Sequence, residues 1–188
     1  MTTESQSGIA AATRAELLRR VVSDARKVLD GTMADVTQAQ ADYVPPGIAN
    51  PLGATYAHVV CSEDMAVQGM FRQLPPLFAS SWQARTGLSE PMPMPGPEWV
   101  NYAAWTRHVK IDLANLRQYA QAVGAETDAW IASLSEADLD RPLDLSSAGL
   151  GQHTLATAIA LLIANHLGTE TGEISVLKGI QGARGYPF

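Results

Sequence analysis

An all-α four-helix bundle is the fold this sequence predicts, and three observations carry it. Four long stretches place apolar residues at spacings of three and four, the period of a helix with one buried side. No stretch alternates apolar and polar residues convincingly over a strand's length. The connections between the four are rich in proline and glycine, which end helices. The fourth stretch organises the rest. LATAIALLIANHLGTETGEISVL, residues 155–177, is almost wholly apolar until it meets His166. Ile159, Leu162 and Ile163 stand at i−7, i−4 and i−3 of that histidine, with Glu170 and Glu173 at i+4 and i+7. An imidazole and two carboxylates therefore prolong an apolar seam. Burying such groups unpaired is costly, so the pattern asks for a metal, a hydrogen-bond network or another subunit.

The elements follow in order. Residues 1–8 read as a mobile polar tail. The first helix is expected over 9–36, where Leu18, Val21, Ala25, Val28, Leu29 and Met33 form a buried stripe and Arg26 belongs to another face. YVPPGIANPLG, residues 43–53, is a loop, because its prolines and glycines leave no room for a helix interior. The second helix is expected over 53–74, ending before Pro75 and Pro76, with His58 facing inward beside Ala54, Cys61, Met65 and Gly69. Residues 75–97 form a long connection rich in proline, methionine and tryptophan, either a cover for a site or a packed crossover. The third helix is expected over 98–134, with a weak point at Gly124. Residues 135–145 read as extended or turn, and 146–151 as a tight turn. Thr154 is placed to cap the fourth helix. The chain reads as a single domain over residues 1–188, a length that allows one sizeable core.

Composition narrows the function classes. The formal net charge is −6 and no Lys/Arg run occurs, which argues against a nucleic-acid binder with a basic surface. Cys61 is the single cysteine, so no internal disulfide forms, and a reducing cytoplasm fits. No apolar run reaches the roughly 18–20 residues that a membrane span needs. The charged share is low at 17%, so the helices are largely buried or cover one another in a homodimer.

Two elements carry a family resemblance: GATYAHVV in the second helix and NHLGTETGEI in the fourth. With the helix order, they resemble the DinB-like family of four-helix metalloproteins, which includes the N-terminal part of mycothiol-dependent maleylpyruvate isomerases. That family carries a histidine early in its second helix and a late pattern of the form H-x-x-x-H-R-G-Q-I. His58 matches the early histidine and His166 the first late one, while Gly172 and Ile174 also match. Glu170 stands where the family has its second late histidine, and Glu173 where it usually has glutamine.

The resemblance implies a divalent transition metal (zinc, nickel or iron) held in the bundle by His58, His166 and Glu170. Glu173 and Cys61 are placed beside that site or in its cavity. Two imidazoles and one carboxylate are a known three-ligand set for catalytic zinc or non-haem iron. The implied function is a metal-dependent enzyme acting on a small molecule: an S-transferase or isomerase using a low-molecular-weight thiol, or a hydrolase. The alternative is a metal-free bundle in which Glu170 is a structural carboxylate and the protein binds a small ligand or a partner. His108, His153 and the tryptophans Trp82, Trp99, Trp105 and Trp130 read as surface, turn and core or interface residues respectively.

Overall fold

The computed structural model describes residues 12–94, 96–146 and 149–188, so the expected tail over 1–8 lies outside the described residues. Helices dominate it. Helix α1 (Arg14–Met33) begins where Thr13 and Glu16 form a capping box, and the part of the expected first helix over 9–11 lies outside the described residues. Its buried side runs through Val22, Leu29, Thr32 and Met33, while Val21 is 46% exposed and lies off the stripe. The last turn of α1 has no basic residue of its own. Lys178 and Arg117 supply the positive charge instead. Lys178 Nζ donates to Thr32 O at 2.6 Å, and Arg117 Nη2 donates to Met33 O and Val36 O.

A short helix α2 (Gln38–Asp42) leads through the proline loop to α3 (Leu52–Asp64). Nearly every residue of α3 is buried, as expected of a central helix. It continues into a widened π turn, Met65–Phe71. Asp64, at the junction, is buried and binds three donors. It accepts from Leu77 N and Phe78 N at 3.0 Å each and from Tyr119 Oη at 2.7 Å.

The long connection is a packed crossover. Leu88 bridges Ile111, Ser89 exchanges bonds with Lys110, and Gly87 O accepts from Asp112 N at 2.7 Å. This seam explains why the expected third helix is two. A 3-10 turn (Pro97–Asn101) and α4 (Tyr102–His108) end at Val109, and α5 (Leu113–Ala132) begins afresh with Asp112 accepting from Asn115 N. The break falls at 109–112, where the backbone pairs with the connection, and Gly124 lies inside an unbroken helix.

Gly124 serves a close approach. A Cβ there would stand 2.7 Å from Arg26 Nε. Arg26 reaches across it to Glu63, which also accepts from Thr127 Oγ1 at 2.6 Å. Arg26 is thus an interior cation, not the outer-face residue that periodicity suggests, and its ion pair is largely desolvated.

Gly87 is constrained differently. Its φ is +82°, and a Cβ would meet Asp112 O at 2.5 Å and Leu116 N at 2.6 Å. Both obstacles are backbone, so Gly87→Ala is expected to destabilise the fold by roughly 2–3 kcal/mol in chemical denaturation.

After the short helix α6 (Glu136–Leu139), strands β1 (Pro142–Asp144) and β2 (Gln152–Thr154) pair antiparallel, with Leu143 opposite His153. Three-residue strands are too short to show alternation, which is why the sequence pattern misses this hairpin. Thr154 then caps α7 (Leu155–Ile159) by accepting from Thr157 N. A second π turn (Ala160–Asn165) joins α7 to α8 (His166–Ile180) without interruption. Among the described residues no helix is long and apolar enough to cross a membrane.

Candidate metal centre

The second π turn sets the phase of the site. Leu155, Ile159, Ile163, Leu167 and Thr171 are all buried, one every fourth residue. In a regular α-helix four residues advance about 400°, so such a stripe would drift about 40° per step. The wider turn at Ala160–Asn165 absorbs that drift. His166, the first residue after it, sits on the shoulder of the buried stripe with its side chain 25% exposed. The ring is therefore placed between core and solvent.

His58 lies two turns into α3, which packs directly against α8. Its Nε2 stands 3.2 Å from His166 Nε2, and the two rings meet edge to face. Glu170 follows His166 by one turn, and its Oε1 is 3.4 Å from the same His166 Nε2. One ligand atom from each of His58, His166 and Glu170 lies within 4.8 Å of the others. The structure thus brings the three predicted residues together.

The donor set fits a small divalent ion. Zinc binds nitrogen at ~2.0–2.1 Å in a tetrahedron, whose donor-to-donor edge is then about 3.3 Å. The contacts of 3.2 and 3.4 Å are close to that edge. Two imidazole nitrogens facing each other need a proton or a cation between them, since bare lone pairs repel. Burial, then the neighbouring His166, lowers the His58 pKa to about 4, with Glu170 opposing. At neutral pH His58 is therefore a neutral imidazole, the form that ligates.

The surroundings orient these groups. Ser62, one turn after His58, has its Oγ 3.4 Å from His58 Nδ1, where it fixes the ring and leaves Nε2 for the centre. Glu173 accepts from Thr55 Oγ1 at 3.5 Å. Its pKa is raised, by partial burial first and by the nearby Glu170 second. Tyr102 packs edge-on against His58 with centroids 5.1 Å apart, and Trp99 stacks on Tyr102 at 4.4 Å. What reaches the histidines is therefore the segment just after the long connection.

Cys61, three residues past His58, is fully buried, and burial pushes its thiol up to about 12. It lines a separate cavity together with Phe78, Met92 and Met94. Sequence reasoning missed the flanking residue Ser62, whose i+4 spacing to His58 is a usable signal, whereas Trp99 and Tyr102 carry no local signal for contact with His58. His108 is exposed and pairs with Glu90 at 3.1 Å, and His153 bonds Leu150 O within the hairpin.

Comparison with known proteins agrees with this architecture. The DinB superfamily profile matches residues 10–174, and the chain belongs to that superfamily. Among solved structures, a conserved protein from Enterococcus faecalis is similar at a TM-score of 0.69 and 17% identity, covering 92% of this chain and 99% of its own. A second, the Sibling Lethal Factor Precursor DfsB, is similar at a TM-score of 0.58 and 20% identity, with the same coverage of both chains. At these identities the likeness is one of fold. No curated protein matches the chain.

Proposed function

We propose that this chain holds a divalent transition metal at His58, His166 and Glu170 and uses it on a small-molecule substrate. The convergence of the three ligand atoms supports this reading most directly. Zinc, nickel and iron all suit two imidazoles and a carboxylate. A bound ion of this kind lowers the pKa of a thiol or water and polarises a carbonyl. The protein's own part is positional: Ser62 orients His58, the bond from Thr55 holds Glu173 beside the site, and Tyr102 walls one side. The reaction classes that fit are thiol-dependent transfer or isomerisation, with a low-molecular-weight thiol as co-substrate, and hydrolysis. A homodimer in the cytoplasm completes the proposal, supported by the exposed apolar side chains Val176 and Ile180 on α8. A monomeric mass by light scattering at micromolar concentration removes the dimer.

One observation favours a metal-free alternative. The contact between His58 and His166 has hydrogen-bond length, and Glu170 can pair with a protonated His166, so the triad can close on itself. The protein would then be a bundle that binds a small ligand or a partner. Thermal denaturation separates the two. Metal at about 100 times its Kd adds ~2.7 kcal/mol by mass action. At roughly 2–4 °C per kcal/mol for a chain of this size, the Tm rises by about 5–10 °C. A chelator reverses the rise. A Tm indifferent to both supports the metal-free bundle.

A further inference from the structure

One well-formed cavity does not include the triad. It has a volume of about 540 Å³ and lies between α3 and the long connection. We propose that it is a binding site for a small, neutral, predominantly apolar molecule, with one polar group held at the Gln83 rim.

Volume sets the size. The cavity is within the ~300–1,000 Å³ range of small-molecule sites. At ~30 Å³ per water it equals roughly 18 water volumes, room for a two-ring or three-ring compound. The walls set the polarity. Cys61, Phe78, Leu88, Met92 and Met94 present three sulfurs, an aromatic ring and an aliphatic chain. Such polarisable, flexible groups repack around apolar shapes.

Three of the lining polar groups are already engaged. Ser89 Oγ accepts from Lys110 N at 2.9 Å, Thr86 Oγ1 accepts from Leu88 N, and Glu90 pairs with His108. Among the described residues no Lys or Arg lines the cavity to neutralise an anion. A charged ligand would lose its hydration without a counter-charge, which is costly. Gln83, at the exposed rim, is the lining residue placed to meet a single polar group.

The site stands apart from the triad but shares its helix. Cys61 follows His58 by three residues on α3, and none of His58, His166 and Glu170 lines the cavity. Occupancy is therefore independent of metal.

The test uses N-phenyl-1-naphthylamine, a neutral two-ring dye joined to a phenyl, titrated against the full chain by fluorescence. Saturable one-site binding to wild type is expected. Ala79→Trp and Met94→Trp each plug the mouth from an exposed lining position, and either one that keeps the wild-type circular dichroism and melting is expected to weaken binding at least ~10-fold. His166→Ala is expected to bind as wild type does. The sulfonated analogue 1-anilinonaphthalene-8-sulfonate is expected to bind at least ~10-fold more weakly than the neutral dye. No saturable binding, or binding unchanged by a folded plug variant, overturns the site. Equal binding of the sulfonate overturns the ligand class.

Discussion

His166→Ala is expected to abolish stoichiometric metal binding while leaving the fold intact. His166 Nε2 is the hub of the triad, within 3.4 Å of both other donors, and its removal leaves one imidazole and one carboxylate. Loss of an outer-shell partner alone typically costs ~10–100-fold in metal affinity, so loss of a direct ligand is expected to cost at least ~100-fold. Competition against a chromophoric chelator reads this directly. The ring is partly exposed and makes no hydrogen bond outside the triad among the described residues, so its truncation opens no deep cavity. Glu170→Gln, which keeps an oxygen but loses the charge, is expected to weaken binding less. His108→Ala, remote from the triad and exposed, is the control that leaves affinity unchanged.

The largest stability loss is expected at a residue that takes no part in the site. Asp64 joins α3 to the connection through Leu77 N and Phe78 N, and to α5 through Tyr119 Oη. Replacing it with alanine leaves three donors without their acceptor, the Tyr119 hydroxyl buried and the Leu77 and Phe78 amides half-buried. Hydrogen bonds to a charged group contribute ~1.5–3 kcal/mol each and do not add fully, so the expected cost is about 3–5 kcal/mol. The melting temperature should fall by roughly 10 °C. Asp64→Asn retains one acceptor oxygen and is expected to lose less. A melting temperature unchanged in Asp64→Ala would mean that the connection is not anchored through this carboxylate.

These two residues show what the sequence discloses and what it hides. His58, His166 and Glu170 were legible because polar groups on an apolar stripe at helical spacing conflict with burial. The family resemblance then linked two histidines more than a hundred residues apart, which periodicity could not do. The exact phase was not legible. The π turn before His166 shifts the buried stripe from the face of His166 to that of Leu167, and nothing in ALLIAN marks a wider turn. The break at 109–112 was hidden for another reason: it is caused by pairing with Leu88, a contact across the chain. Helical periodicity assigns Arg26 to an outer face because charge usually means solvent, and Glu63, its partner, sits thirty-seven residues away. Gly124 reads locally as a weak point of the helix, yet its role is to admit that arginine. At the break, at Arg26 and at Gly124, local propensity is overridden by a tertiary partner.

The convergence of His58, His166 and Glu170 on one ion is tested most directly by anomalous diffraction from crystals of metal-loaded protein, recorded at the metal's absorption edge. A single peak about 2.0–2.2 Å from His58 Nε2, His166 Nε2 and a Glu170 oxygen is the predicted result. No peak there, with the two imidazoles still in mutual contact, would contradict it.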